Sequence, residues 1–110
     1  MICFAINPTE RTILSVDLPA IPDGYGDDPR LLNEETGDVI YTELNSKSDC
    51  GFVLDGVRAP IIGIAYVVGT NEAGDDVPPK VAYDSLVDGV DFGSVRSGMF
   101  FGERHVKAIQ

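Results

Sequence analysis

The stretch that decides the fold is "IIGIAYVVGTNEAGDDVPPK", residues 61–80, because its character changes in the middle. Its first nine residues, 61–69, carry no charge, and the next seven hold three acids and no base. Residues 61–68 are rich in β-branched residues and apolar on both faces, which predicts one strand at the centre of a sheet. Pro78 and Pro79 then precede apolar residues at helical spacing, which predicts a helix that ends at Gly89.

The acidic loop inside this stretch has the glycine spacing of a phosphate-binding loop, with Gly69 and Gly74 five positions apart. Asp75 and Asp76 stand where that motif needs a lysine and a hydroxyl, and two carboxylates would repel phosphate. No register of the loop places oxygen ligands as a calcium-binding EF-hand loop requires. We therefore expect a solvated hairpin tip or strand-to-helix loop, with an incidental weak cation site as the alternative.

Outward from this stretch, the N-terminal residues predict a hairpin. Residues 1–6 (MICFAI) are apolar throughout, residues 7–10 (NPTE) form a turn cluster, and residues 11–18 (RTILSVDL) alternate between apolar and polar. This pattern is typical of two strands joined by a four-residue loop, the first of them central in its sheet.

The remaining elements follow from turn signals and short apolar runs. We expect a short helix that begins at Asp28-Pro29 and ends at Gly37, because an N-cap aspartate precedes a proline at the first helical position. We also expect strands over residues 39–44 and 51–54, a return strand from residue 57 to 59 after the Asp55-Gly56 turn, and a last hairpin from residues 99–101 and 105–109. The predicted fold class is α+β, a small single domain with a mostly antiparallel β-sheet and one or two short helices.

Composition limits the function classes. The chain has 110 residues, 44% of them hydrophobic, and a formal net charge of −10, so residues 1–110 suit one domain with a real core. Residues 1–91 carry 17 acids and 5 bases, whereas residues 92–110 carry one acid and three bases. An acidic body repels nucleic acid and acidic membranes and attracts basic protein surfaces. We therefore expect no direct nucleic-acid partner and no membrane contact.

The N-terminus lacks a basic region and a small-residue cleavage site, and no apolar run approaches the roughly 18 residues of a membrane span. We therefore expect a cytoplasmic protein. Its two cysteines, Cys3 and Cys50, form no metal motif and are expected to be buried free thiols of a reducing compartment, with one disulfide between them as the alternative.

Residues that could perform catalysis are few. His105 is the only histidine, and no nucleophile motif surrounds it or any serine. Adjacent carboxylates such as those at positions 75 and 76 would point to opposite faces of a strand, which does not suit an acid–base pair. We expect no enzyme activity, no metal and no cofactor.

What remains is collective negative charge. The acids cluster in three segments, and if the fold brings these onto one face they form an anionic patch that imitates a nucleic-acid backbone. The alternative is ordinary charge spread over the surface for solubility. The candidate partner-binding residues are Asp27, Asp28, Glu34, Glu35, Asp38, Glu72, Asp75 and Asp76.

The segments "GDVIYTEL", residues 37–44, and "APIIGIAYVVGTNEAGDD", residues 59–76, resemble a family of small, functionally uncharacterised proteins from phages and mobile elements. The resemblance covers about residues 1–80 and leaves the last twenty residues unmatched. The positions that fit the family pattern are Pro60, Gly63, Ala65, Val67, Gly69 and Gly74. The resemblance implies a phage or plasmid context, in which small acidic proteins often disable host defence complexes, and it implies no catalytic residues.

The leading hypothesis is a non-enzymatic phage-type accessory protein in the host cytoplasm, which binds a basic surface of a host defence complex and inhibits it, as an anti-CRISPR or anti-restriction protein does. A second hypothesis is a small-molecule or nucleotide-binding module. Its pocket would combine tyrosines with an arginine, the candidates being Tyr25, Tyr41 and Tyr66 with Arg30, Arg58 or Arg96. A third is a small structural homo-oligomer, because an exposed sheet edge can pair with a second copy.

Overall fold

The described part of the chain contains eleven strands and one α-helix in this computed structural model. The structure describes residues 1–27, 32–57, 59–103 and, for the backbone alone, 107–108. The strands are β1 (Ile2–Asn7), β2 (Thr12–Asp17), β3 (Tyr25–Asp27), β4 (Val39–Glu43), β5 (Cys50–Leu54), β6 (Ile61–Ile62), β7 (Ala65–Thr70), β8 (Asp76–Val77), β9 (Val90–Arg96), β10 (Met99–Gly102) and β11 (Lys107–Ala108), and the helix is α1 (Tyr83–Gly89).

These strands form two sheets. A seven-stranded sheet has the order β11-β2-β1-β7-β4-β3, with β8 paired to β7 outside this row, and a four-stranded sheet has the order β10-β9-β5-β6. Every described pairing is antiparallel except that of β11 with β2. The predicted mostly antiparallel fold with a short helix is therefore confirmed.

Gly63 divides the predicted central strand in two. Residues 61–62 belong to the four-stranded sheet as β6, and residues 65–70 belong to the seven-stranded sheet as β7. Gly63 has a φ of +82°, and a Cβ at this position would collide with the carboxylate of Glu43. Only glycine combines this conformation with this close approach. The prediction of one continuous strand over residues 61–68 was therefore wrong, although β7 does lie between β1 and β4 in the middle of its sheet.

Apolar side chains from both sheets and the helix form one buried core. The core cluster comprises Ile6, Ile13, Ile40, Ala65 and Val67 from the seven-stranded sheet, Phe52, Leu54, Ile61, Val90 and Phe92 from the four-stranded sheet, and Leu86 from α1. The radius of gyration is 12.8 Å, close to the ~13 Å expected for a compact domain of this length. The described residues therefore share one core.

The N-terminal hairpin is confirmed. Strands β1 and β2 pair from Ile2 opposite Asp17 to Asn7 opposite Thr12, which leaves a loop of four residues. Strand β1 also pairs with β7 on its other side, so it lies inside the sheet as its apolar sequence predicts.

Three predictions near the chain's turns need correction. Residues 34–36 form a turn and not the end of a helix, and the predicted helix start at residues 28–31 lies outside the described residues. The strand that pairs with β5 after the Asp55-Gly56 turn is β6, which starts at Ile61, and the described residues Val57 and Ala59 belong to no strand. Strand β10 pairs with β9, and the described part of the predicted last strand, residues 107–108, pairs with β2 as β11; residues 105, 106 and 109 lie outside the described residues.

Helix α1 begins at Tyr83, later than the two prolines suggest, and ends at Gly89 as predicted. Leu86 faces the core from this helix. Within the described ranges, no helix is long and apolar enough to cross a membrane.

Candidate functional site

Strand direction brings acidic residues from three places in the chain to one end of the seven-stranded sheet. Strand β4 pairs antiparallel with both β3 and β7, with Tyr41 opposite Asp27 and Val39 opposite Val68. Strands β3 and β7 therefore run toward the end from which β4 starts. The last residue of β3, the turn before β4 and the tip after β7 share this end. We call it the acidic end and define it by the exposed residues Asp27, Glu34, Glu35, Glu72, Asp75 and Asp76.

The tip after β7 is a short hairpin, which confirms the solvated hairpin tip expected from the sequence. Thr70 lies opposite Asp76 in the pairing of β7 with β8. The side-chain Oδ1 of Asn71 accepts a hydrogen bond from the backbone N–H of Asp75 at 2.9 Å, and Gly74 has a φ of +85°. This local bonding closes the turn and leaves the carboxylates of residues 72, 75 and 76 exposed to solvent.

The turn before β4 is built around Asn33, which is 3% exposed. Its Oδ1 accepts a hydrogen bond from the backbone N–H of Glu35 at 3.0 Å, and its backbone carbonyl accepts one from Gly37 at 2.7 Å. An asparagine that bonds the backbone two residues ahead stabilises a turn. Glu34 and Glu35 are carried on the outside of this turn and are exposed.

Asp38 does not belong to the exposed set, which corrects its assignment as a partner-binding residue. Its exposure is 0%, and its two carboxylate oxygens accept hydrogen bonds from the backbone N–H groups of Lys80, at 2.8 Å, and Val81, at 3.0 Å. A fully buried carboxylate whose two oxygens accept internal hydrogen bonds is not accessible to a partner surface. Asp38 instead joins the turn before β4 to the segment that leads into α1.

Asp27 and Asp76 meet around Tyr41, although 49 positions separate them in the sequence. Tyr41 donates a long hydrogen bond of 3.4 Å to the Oδ1 of Asp76, and Asp27 is its cross-strand neighbour. Burial, and then the charges of these two carboxylates, raise the pKa of the Tyr41 hydroxyl. Of the predicted residues, Asp28 lies outside the described part of the chain.

Most described cations lie away from the acidic end. Arg11 pairs with Glu103 beside the β1–β2 loop, at the opposite end of the sheet, and Arg96 lies 3.7 Å from Asp49 beside the four-stranded sheet. Lys80 lies close to the acidic end, because its backbone N–H donates a hydrogen bond to Asp38, the residue before β4. Lys80 is exposed.

The tyrosines of the small-molecule hypothesis do come together, but the one proposed arginine that the structure describes, Arg96, lies elsewhere. The rings of Tyr25 and Tyr66 are 5.1 Å apart, and Tyr41 is the cross-strand partner of Tyr66. Arg96 lies on β9 in the other sheet, while the arginines at positions 30 and 58 lie outside the described residues.

A cavity of about 460 Å³ lies beside Tyr25, lined by Asp23, Glu43, Lys47 and the turn residues between them. Tyr25 donates a hydrogen bond of 3.4 Å to Glu43. Burial and the Glu43 carboxylate raise the pKa of Tyr25 to about 12. Two carboxylates against one ammonium do not favour the phosphate of a nucleotide.

A second cavity, of about 450 Å³, lies between the turn before β4 and α1. Its polar lining includes Asn33, Glu35, Asp55, Lys80 and Asp88. Sequence reasoning assigned Asp55 to a turn only and gave no role to Asn33 or Asp88. The turn signal "NEETG" at residues 33–37 could have located Asn33, but no sequence signal links positions 33, 55 and 88.

The described residues include few groups suited to metal binding or nucleophilic catalysis. In the part of the chain that the structure describes, no three carboxylate, imidazole or thiol groups come close enough to hold a metal ion. His105 lies outside that part. Cys3 and Cys50 form no disulfide, and burial raises the pKa of the Cys3 thiol.

The chain matches no protein-family model, no curated protein and no solved structure, so its resemblance to the phage and mobile-element family stays a prediction.

Proposed function

We propose that this protein is a non-enzymatic accessory protein of phage type, acting in the host cytoplasm. It binds a basic surface of a host nucleic-acid-handling defence complex and inhibits it, as an anti-CRISPR or anti-restriction protein does. The acidic end is the binding surface. The single observation that carries this proposal is that Asp27 and the turn with Glu34 and Glu35 share one end of the seven-stranded sheet with the acidic tip after β7, which lies far from them in the sequence.

The physical basis is charge complementarity. A groove that binds nucleic acid presents lysine and arginine side chains, and an anionic protein surface competes for them with the phosphate backbone. The carboxylates of the acidic end are carried on short, hydrogen-bonded turns rather than long loops, so little ordering accompanies binding. Steering between opposite charges also raises the association rate and makes it depend on salt.

The test is retention of a host complex by the immobilised protein across a salt series. We expect retention at low salt that falls as the ionic strength rises from about 0.05 to 0.5 M, because screening shortens the range of the attraction. The variant Glu72→Gln with Asp75→Asn removes two charges from the acidic end without changing side-chain size. It should weaken binding by about tenfold or more if these charges contact the partner.

The matched control removes two charges from the other end of the same sheet. Glu10 lies in the β1–β2 loop and Asp23 precedes β3, and both are exposed. The variant Glu10→Gln with Asp23→Asn should retain the complex as the unaltered protein does. Equal losses in the two variants would show that net charge alone matters, and retention that persists unchanged at high salt would contradict an electrostatic binding surface.

A second candidate, a structural homo-oligomer, is favoured by strand β10. This strand is the edge of the four-stranded sheet, and it exposes Met99 (62%) and Phe101 (53%). An uncharged edge strand can pair with a second copy. Light scattering after size exclusion tests this: a dimer that Phe101→Lys converts to a monomer would support it, and a monomer at all concentrations would reject it.

A further inference from the structure

The edge strands in the described part of the chain differ in how well their sequences discourage further pairing. Strands β3, β6, β8 and β11 have only two or three residues each. Three of these strands carry a charged residue, Asp27, Asp76 or Lys107, and Pro60 precedes the fourth. Short length, charge and proline are features that keep an edge strand from pairing. Strand β10 lacks all three, since Met99–Gly102 has four residues without a charge or a proline.

Alternate residues of β10 turn their backbone groups toward the free edge. The ladder with β9 continues past the end of β10, because the backbone N–H of Glu103 donates a hydrogen bond of 2.8 Å to the carbonyl of Phe92. Hydrogen-bonded and non-hydrogen-bonded pairs alternate along an antiparallel ladder. Phe101 therefore bonds to β9 as Glu103 does, while the N–H and C=O groups of Phe100 and Gly102 point away from β9. Among the described strands, none pairs with that side of β10.

These outward groups fit a second copy of the same strand. When two copies of β10 pair antiparallel about a twofold axis at Phe101, Phe100 of each copy lies opposite Gly102 of the other. The two opposed residues then exchange both backbone hydrogen bonds. Within β10, an axis at Phe100 or at Gly102 would use only one outward residue of each copy, whereas the axis at Phe101 uses both. Twofold symmetry also closes the assembly at two copies.

The side chains of β10 suit this pairing on both faces of the sheet. Met99 and Phe101 share one face and are 62% and 53% exposed. Pairing about Phe101 joins them with the same residues of the second copy into one apolar row, with the two Phe101 rings adjacent at the axis. Aromatic residues that are directly opposed on two strands stabilise the pair. On the other face, Gly102 has no side chain to obstruct the ring of Phe100 from the second copy.

The charges beside β10 are complementary under the same twofold axis. Arg96 and Glu103 line one shallow hollow of about 300 Å³ with Phe101, so both charged side chains lie on the face that carries Phe101. Pairing about Phe101 places Glu103 of one copy opposite Met99 of the other, and Arg96 is the neighbour of Met99 on β9. Each acid therefore lies near a base of the second copy. Both residues are exposed and also have contacts within their own chain, so the contribution of these pairs is small.

We propose that this protein forms a twofold-symmetric dimer in which β10 pairs antiparallel with β10 of a second copy and Phe101 lies at the axis. The inference rests on the second candidate function, the homo-oligomer, and specifies its interface. No residue of the acidic end lies on β10, so the dimer uses none of its carboxylates. Pairing of two short strands buries less surface than the roughly 1,200 Å² of a standard interface, so we expect a dissociation constant on the order of 100 μM.

Sedimentation equilibrium of the full chain, from about 10 μM to about 1 mM protein, measures the association. Phe101→Lys should weaken it by about tenfold or more, because two like charges would be directly opposed at the axis. Leu44→Lys is the matched control, since Leu44 is also apolar and is 64% exposed but lies outside β10. This control should dimerise as the unaltered protein does. Equal weakening by the two variants would overturn the proposal.

Disulfide cross-linking tests the register in a Cys50→Ser background, in which the remaining native thiol, Cys3, is buried. Phe101→Cys places two thiols in a directly opposed pair with about 4.5 Å between the Cα atoms, which a disulfide can span. Met99→Cys is the control, because its two copies would lie about 13 Å apart along the strands. A mild oxidant should convert the Phe101→Cys variant alone to a covalent dimer. Equal or preferential cross-linking of Met99→Cys would refute the register.

Salt distinguishes this dimer from binding through the acidic end. Each chain has a formal net charge of −10, so two copies repel each other and salt screens that repulsion. Dimerisation should therefore strengthen between about 0.05 and 0.5 M salt, whereas retention of a host complex should fall. Self-association that weakens with salt would contradict the uncharged interface. A dimer without a cross-link at position 101 would reject this interface and leave the homo-oligomer standing, while a monomer at about 1 mM would reject both.

Discussion

Replacement of Asp38 tests whether its carboxylate holds the fold or serves a partner. The side chain is 0% exposed and accepts two backbone hydrogen bonds, from Lys80 and Val81, at 2.8 and 3.0 Å. Asp38→Ala removes both acceptors and leaves two N–H groups facing a void. We expect this variant to lose much of the domain's stability while the exposed acids stay in place.

The magnitude follows from the two bonds. A hydrogen bond to a charged group contributes about 1.5 to 3 kcal/mol to the free energy of unfolding, and an unsatisfied buried donor adds its own cost. Asp38→Ala should therefore lower that free energy by about 3 to 5 kcal/mol, out of roughly 5 to 15 kcal/mol for a typical domain. Asp38→Asn retains one acceptor oxygen but turns an N–H₂ toward the second donor, so we expect a loss of about 2 to 3 kcal/mol.

Urea denaturation followed by circular dichroism measures the effect. With a slope of roughly 1.5 kcal/mol per molar urea, a loss of 3 kcal/mol moves the midpoint by about 2 M. Asp75→Asn is the matched control, since Asp75 is exposed and should change stability by less than about 0.5 kcal/mol. If Asp38→Asn unfolds at the same urea concentration as the unaltered protein, the Asp38 carboxylate does not stabilise the fold through its two hydrogen bonds.

Three further outcomes are expected. Gly63→Ala and Gly74→Ala should each destabilise the domain by about 1 to 2 kcal/mol in urea, because both residues have a positive φ that alanine rarely adopts and the Glu43 side chain beside position 63 can move aside; unchanged stability of Gly63→Ala would contradict the strained corner. Since burial and a nearby carboxylate raise the pKa of Tyr25 to about 12, the stability that its neutral hydroxyl contributes is complete below pH 10, the ordinary tyrosine value, and is lost as the pH rises through about 12; an ultraviolet titration should lose its highest step in Tyr25→Phe, and loss of a step near pH 10 instead would contradict this. A thiol reagent should label Cys50 in the folded protein and the buried Cys3 only after unfolding; rapid labelling of both would show that β1 is not held as described.

Local patterns predicted the parts of this fold that local forces determine. The hairpin of β1 and β2 follows from an apolar run, a turn cluster and an alternating run, which leave few other pairings. The exposed tip at residues 71–75 follows from glycine and acids that would be costly to bury.

The corner at Gly63 could not be predicted in the same way. A glycine inside a β-branched run is compatible with a continuous strand, and the positive φ at Gly63 that takes the chain from one sheet to the other depends on contacts with segments distant in the sequence, such as that with Glu43, twenty positions away. The pairing of Met99–Gly102 with β9 could not be predicted either, because apolar residues on both sides of this segment suit pairing equally well. Sequence periodicity specifies which face a strand buries but not which strand lies beside it.

The candidate site shows the same division between local and long-range information. Charge clustering found exposed acids at positions 34, 35, 72, 75 and 76 but assigned Asp38 to the same group, since sequence alone does not show whether a carboxylate is exposed or buried. What distinguishes Asp38 is the approach of two backbone N–H groups from 42 and 43 positions away. Such long-range contacts leave no trace in the local pattern.

This distinction matters for any study of binding. Asp38 anchors the segment that carries Lys80 to the turn that carries Glu34 and Glu35, so its replacement disturbs both the acidic end and the cavity beside α1. A loss of binding in an Asp38 variant would therefore be expected even though its carboxylate never contacts a partner. Only variants at exposed carboxylates, such as Glu72 or Asp88, separate the loss of a contact from the loss of the structure that presents it.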